Sequence, residues 1–425
     1  MTSTRDVCQP GLKWENNLFG TKPTWTAEPS IAVIKKLVQE ALGAESDVAF
    51  LAQGAFNKIY SVNCCVGDFV LRVALPVAPK VKTLSEVATI AFIRSRTNLP
   101  IPRVLAYNAD FNNKLGFEWL LMDRVHGRSL RSCWNEISWL KKGLLVQKMA
   151  EFVSEMFHIK LSSIGSLYEY HLNSHPDSND AAVEHALGEV VSPTFFVGSH
   201  IRQIFHRGPY RTSAEYVLAH MQLLLQDIQS WRISDNEDDR DQAEEAQIIY
   251  EKLQLIIPKL FLDVGLETTS VLHQDLSSNN ILVDDKGDLV GIIDWECAVA
   301  APHWQACRVP QFLDYGKQEN CAPEPLTENE QKDEDVVEYH HALVHDYEVT
   351  QLNRFFLEEM ERLNPQWVQI HNEGTTCREI MVALEFTSSG MYAHQVEGWL
   401  DCLLEGKKPR LTLSESIFDP YKYDA

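Results

Sequence analysis

The chain of 425 residues lacks any apolar run near the roughly 20 residues that a membrane-spanning helix needs, so no membrane span is expected. Met1–Gln9 mixes Arg5 with Asp6 and has no apolar core, so it is not expected to be a secretory leader, and one Arg without an amphipathic repeat makes a poor transit peptide. Basic residues are scarce: 38 Lys and Arg stand against 60 Asp and Glu, a net charge of −22. A nucleic-acid partner needs the opposite balance and is not expected. Cysteine is thin and scattered, nine in all, with no Cys-x-x-Cys pair. Cys64 and Cys65 are adjacent on an expected strand and point to opposite faces. That pattern excludes a disulfide framework or zinc site and reads as reduced thiols in an intracellular protein. There is no internal repeat.

What is present is a 45% hydrophobic content, enough for two lobes with a real core. Much of the negative charge is local. Asp235–Glu245 sets seven acids against one Arg, and Glu319–Glu338 sets eight against one Lys. Both runs are expected to be solvated loops.

Met1 to about Pro29, with Trp14 and Trp25, reads as an arm packed on the body. Ser30–Leu42 has helical spacing with Ser30 as N-cap. Strands are expected near Val48–Ala52, Lys58–Cys65 and Phe69–Leu75, then a helix over Leu84–Thr97, and further strands up to Phe117–Met122. After Gly127 the periodicity turns helical, from the face Leu145, Met149, Phe152 and Met156 onward. Ser166 to about Tyr210 reads as irregular. Helices are expected over Ser213–Trp231, Ala243–Gly265 and much of Val336–Leu404.

The chemistry is concentrated in His273-Gln274-Asp275-Leu276-Ser277-Ser278-Asn279-Asn280, followed by apolar Ile281–Val283, the turn Asp284–Asp288, and Leu289–Ile293 ending at Asp294-Trp295-Glu296. A Gly-containing turn between two apolar runs is a hairpin signal, and it returns Asp294 to the side of Asn280. One Asp that orients an acceptor hydroxyl, with an Asn and a second Asp that hold magnesium, is what phosphoryl transfer from ATP requires.

This segment resembles the catalytic loop and metal strand of the aminoglycoside phosphotransferase and choline kinase-like families. The strings Gly54-Ala55-Phe56-Asn57-Lys58-Ile59-Tyr60, Ser85-Glu86-Val87-Ala88-Thr89 and Leu99-Pro100-Ile101-Pro102 are similar to a fungal branch of that family that includes altered inheritance of mitochondria protein 9. The resemblance implies an α+β, protein kinase-like bilobal fold. An arm and helix at 1–44 would precede a small antiparallel-sheet lobe at 45–124, a large mainly helical lobe at 125–410 and a tail at 411–425. It implies ATP and Mg²⁺ as cofactors and a small-molecule hydroxyl as acceptor, with the acceptor unnamed. An intracellular, cytoplasmic location is expected, with a mitochondrial one as the alternative that the resemblance implies. Oligomeric state is left open.

Carried over residue by residue, Asp275 is the catalytic residue, Asn280 and Asp294 are the metal ligands, and His273 is a structural brace of the loop. Gly54 would leave room for phosphate, and Asp123 and Val125 would meet adenine through backbone groups. The phosphate cation is Arg72 on the third strand, or Lys58 one strand back. Glu86 has two readings: partner of that cation, or closing residue of a capping box with Thr83. The ion pair is preferred. Glu296 is read as structural or as part of the metal shell. Substrate is expected on the large lobe, between the catalytic loop and the helices. A scaffold without catalysis, and nucleotidyl transfer on the same fold, are the competing functions.

Overall fold

Two faces of one sheet organise the first third of the chain. The computed structural model describes residues 7–17, 20–171, 183–261, 265–314 and 319–418. Strands β1 (Leu12–Asn17) and β2 (Gly20–Trp25) form a hairpin, followed by helix α1 (Ile31–Leu42). Then come β3 (Ser46–Gln53), β4 (Asn57–Cys64), β5 (Gly67–Ala74), helix α2 (Val81–Arg96), β6 (Val104–Asn108) and β7 (Glu118–Asp123). The five strands β3 to β7 make one antiparallel sheet in the order β3-β4-β5-β7-β6.

Period-two alternation sorts their side chains. Phe69, Leu71 and Val73 of β5 share a buried cluster with Tyr60, Val62 and the α1 residues Ile34 and Val38. Leu120 and Met122 of β7 point the other way and meet Val87 of α2. Each such side chain, taken fully out of water, contributes about 1.5–3 kcal/mol.

α2 begins earlier than the sequence suggested, at Val81 and not Leu84. The reason is tertiary. The buried Glu118 carboxylate takes the Lys80 backbone N–H at 2.6 Å and the Thr83 hydroxyl at 2.5 Å, which fixes the first turn one step upstream. Thr83 is therefore not the N-cap, and the capping-box reading of Glu86 is set aside.

The large lobe is mainly helical, as expected for a kinase-like α+β fold. The helix Trp139–His158 buries Leu145, Met149, Phe152 and Met156 in a core shared with Phe356, Met360 and Trp367. The helices Ser213–Arg232 and Glu237–Leu260 pair and build a second core with Ile380, Leu384 and Trp399.

Two expectations fail here. The acidic run from Glu237 to Glu245 is helix, not loop: Asn236 caps it by accepting the Asp238 N–H at 3.2 Å, and Glu237, Asp238 and Asp239 fill the first turn, where the helix dipole favours acids. In the second run, Glu334–Glu338 likewise opens the long helix Glu334–Leu363. The stretch read as irregular also holds an antiparallel hairpin, Ser166–His171 with Val183–Gly188.

The arm packs as expected. Trp25 tilts on Phe117 with ring centroids 5.2 Å apart, and Gln9 donates to the Pro76 and Val77 carbonyls at 3.0 and 3.2 Å.

Candidate active site

The strand Thr269–Leu272 is wholly buried and pairs with Val299–Pro302, so the loop that follows is anchored at its root. His273 is buried there. Its Nε2 lies 3.0 Å from the Ile293 carbonyl, and its Nδ1 accepts the Asp275 N–H at 3.3 Å. Burial first of all lowers its pKa to about 4, so the ring is neutral, with the proton on Nε2. It also stands edge-on to Trp295, centroids 4.6 Å apart. The Ile293 and Trp295 contacts brace the loop against the next strand, and the Asp275 contact holds it from within.

Asn280 is buried and donates its Nδ2 to Asp275 twice, to Oδ2 at 2.8 Å and to the backbone carbonyl at 3.0 Å. The two bonds orient the amide. The hairpin Ile281–Val283 with Leu289–Ile292 sets Ile281 opposite Ile292, and the Ile293 N–H reaches back to the Asn280 carbonyl at 3.0 Å. Asp294 follows directly, so the expected juxtaposition of Asp275, Asn280 and Asp294 is present.

Asp294 has φ 65°, and Cys297, three residues on, has φ 59°. Non-glycine residues in this left-handed region cost on the order of 1–3 kcal/mol each and persist only where the surroundings hold them. Three groups do so. Arg72 of β5 donates Nη1 to Asp294 Oδ1 at 3.1 Å and pairs through its other terminal nitrogen with Glu86 of α2. Trp295 is buried and donates its indole N–H to the Ile292 carbonyl at 3.1 Å. Glu296 accepts Lys82 Nζ at 2.5 Å and Asn57 Nδ2 at 2.8 Å.

Burial first, and the Glu296 carboxylate second, raise the Asp294 carboxyl above the usual range, against the pull of Arg72 and Lys82. Burial also pushes Glu296 up, but Lys82, Arg72 and the Asn57 hydrogen bond more than offset it and leave it below the usual range.

Lys58 does not join this site. Register decides the matter: Arg72 pairs with Ile59, and Lys58 pairs with Val73, so the two cations lie on opposite faces of the sheet. Lys58 is buried beneath the arm, ion-paired with Glu28 and 4.8 Å from the centre of the Trp25 ring. Asp123 ends β7: its N–H goes to the Arg103 carbonyl at 3.0 Å and its carboxylate pairs with Arg103 at 3.3 Å. Val125 sits against Gly291 at the crossing between the lobes, so close that a Cβ there would lie 2.6 Å from its Cγ1. Gly54 lies in the β3–β4 turn with open space on its side-chain face, and its N–H goes to the Asn57 carbonyl at 2.9 Å. Phe56 of the same turn stands edge-on to Phe196 of the large lobe, 5.4 Å between centroids.

Sequence reasoning missed Lys82, Asn57 and Arg308. Lys82 lies before the helix expected from Leu84, and nothing local pairs it with Glu296, 214 residues away. Arg308 donates to the Gln274 carbonyl at 3.0 Å beside Asp275 and lines a cavity of about 610 Å³ with Tyr216, Asp314, Arg378 and Glu385.

The donor set suits magnesium. One carboxylate and one oriented amide oxygen supply hard ligands, and Mg²⁺ commonly takes one or two protein groups, leaving its remaining positions to phosphate and water. Among the described residues no group of three His, Cys, Asp or Glu forms a metal cage.

Fold and site together have the bilobal arrangement of the kinase type. The chain belongs to the phosphotransferase enzyme family, whose model matches residues 47–305. A subtelomeric hrmA-associated cluster protein of Aspergillus fumigatus is 26% identical over 311 residues, 63% of this chain and 61% of the relative. Altered inheritance of mitochondria protein 9 of Yarrowia lipolytica is 25% identical over 326 residues, 67% of this chain and 56% of that protein. The chain thus spans little more than half the length of these relatives. The crystal structure of aminoglycoside phosphotransferase APH(4)-Ia is 16% identical, with 89% of this chain and all of that one covered, at a TM-score of 0.48. No helix among the described residues is long and apolar enough to cross a membrane.

Proposed function

We propose that the protein transfers the γ-phosphoryl group of ATP, with Mg²⁺, to a hydroxyl of a small molecule. The observation that carries this reading is the Asn280–Asp275 hydrogen bond at 2.8 Å, which leaves one oxygen of each side chain for a different partner. Asp275 then holds the acceptor hydroxyl in line and takes its proton late, and Asn280 Oδ1 and Asp294 hold the metal. Bound there, Mg²⁺ would offset charge on the phosphates. Arg72, pinned by Glu86, grips phosphate, and the turn at Gly54 admits it. Adenine lies at the crossing of the lobes near Val125. The cavity beside Asp275, lined by Arg308, Asp314 and Glu385, takes the acceptor, and its 610 Å³ suits a small organic molecule.

The scaffold alternative drew on Arg standing where kinases place Lys. Arg72 meets both Glu86 and Asp294, the partners that a lysine there would need, so that support weakens. The mitochondrial names of the relatives support a mitochondrial location over a cytoplasmic one, which fractionation would test.

The experiment is metabolite profiling of lysate incubated with ATP, Mg²⁺ and the protein, against Asp275→Ala. A product heavier by one phosphate, made only by the wild type, supports the proposal. An AMP adduct means nucleotidyl transfer, and no product from any acceptor favours the scaffold.

A further inference from the structure

We infer that Lys82 is a positioning residue of this nucleotide site: it holds Glu296 and, with Asn57, ties the turn carrying Asp294 to the small lobe. The inference rests on the phosphotransfer reading above and deepens it.

Lys82 is 2% exposed. Its Nζ lies 2.5 Å from Glu296 Oε2 and 3.3 Å from Asn57 Oδ1, and Asn57 Nδ2 donates to the same Glu296 oxygen at 2.8 Å. The three residues come from three places: the first position of β4 behind the glycine turn, the first turn of α2, and the turn after the metal strand. Two belong to the small lobe and one to the large.

Lysine is rarely buried, and an apolar set of similar volume often serves stability as well as a buried ion pair does. The placement is also built in. Glu118 fixes the start of α2 through the Lys80 N–H and the Thr83 hydroxyl, and Lys80 takes φ 68°. From that start Lys82 and Glu86 stand four residues apart, on one face of the helix. α2 thus sends two links side by side across the cleft. Glu86 reaches Asp294 through Arg72, and Lys82 reaches Glu296 directly.

The two carboxylates flank the buried Trp295, in a turn whose Asp294 and Cys297 both have positive φ and need outside support. Arg72 holds one end and Lys82 the other. Lys82 Nζ makes its contacts with the protein groups Glu296 and Asn57. It sets the direction of Asp294 by holding the turn, and it registers the glycine turn over that carboxylate through Asn57.

The test is ADP affinity by calorimetry on the full chain, with and without Mg²⁺. The readout is the factor by which Mg²⁺ tightens ADP binding. Lys82→Met should cut that factor roughly tenfold or more, as loss of a residue that orients a metal ligand does, with a smaller change in metal-free ADP affinity. Lys82→Arg, which keeps the charge, should restore most of it. Should Lys82→Met not fold, the double variant Lys82→Met/Glu296→Gln leaves no unpaired buried charge and should show the same loss. A merely structural clamp would lower the melting temperature and leave the factor intact, and that result in the folded variant overturns the inference alone. A wild type whose ADP binding ignores Mg²⁺ overturns the phosphotransfer reading and the inference with it.

Discussion

Arg72 Nη1 lies 3.1 Å from Asp294 Oδ1 while the same guanidinium pairs with Glu86. One side chain of the small lobe therefore fixes a carboxylate of the large lobe and is itself fixed by a buried helix residue. A lysine has one nitrogen for both tasks, whereas the guanidinium fork has two that diverge.

From this we expect Arg72→Lys to fold and to raise the ATP KM, because one of the two links is lost. Arg72→Ala should be less stable by about 3–5 kcal/mol, since it strands the buried Glu86 carboxylate. Lys58→Ala should leave the ATP KM unchanged and alter stability by about 1 kcal/mol or less, because Glu28, its partner, is largely exposed. ATP titrations and urea denaturation of the three variants check this. A KM defect confined to Lys58→Ala would reverse the assignment.

Asp294→Asn should abolish magnesium-dependent turnover with the fold retained. The side chain is one-third exposed and faces the cleft, so its charge is not needed for packing. Circular dichroism beside turnover at several Mg²⁺ concentrations checks this. Unchanged magnesium dependence would count against the metal role.

His220 gives a pH dependence of stability. It is buried against Phe195 and Tyr216, its Nδ1 lies 3.0 Å from the Tyr216 carbonyl, and burial lowers its pKa to about 4. Unfolded, an imidazole takes its proton near pH 6.5, so between 6.5 and 4 the unfolded state binds more protons. The stabilising effect is complete above pH 6.5 and is lost as pH falls toward 4. Asp314, raised to about 6 by burial, acts in the opposite sense below pH 6 and is common to both proteins compared. Between pH 6.5 and 5 the wild type should lose about 2 kcal/mol more than His220→Asn, which keeps a donor toward Tyr216. Equal slopes in urea denaturation at the two pH values would contradict this.

The residues legible in the sequence are those that short-range rules bring together. Asp275, Asn280 and Asp294 are joined by a five-residue loop and a hairpin, and local turn chemistry is enough to predict them. The sheet was legible from alternation, and the register that puts Lys58 and Arg72 on opposite faces follows from the Cys64–Gly67 closure of the β4–β5 hairpin. That parity was readable, and a one-residue slip in counting would conceal it. The partnership of Lys82 with Glu296 and Asn57 was not readable, because it forms only once both lobes are assembled. The helix that opens in acids at Glu237 was hidden because a charge run resembles a loop until its N-cap is recognised. The hairpin Ser166–His171 with Val183–Gly188 carries no tight-turn signal, since more than ten residues separate its strands.

The proposed phosphotransfer rests on Asp275. The measurement is Mg²⁺·ADP affinity by calorimetry together with turnover of the acceptor found by profiling, in wild type and Asp275→Asn. Asn preserves the shape and a hydrogen bond but accepts no proton, so nucleotide affinity should stay near the wild-type value while kcat falls roughly 100-fold or more. Full turnover in Asp275→Asn would remove this carboxylate from the mechanism and contradict the phosphotransfer reading of the site.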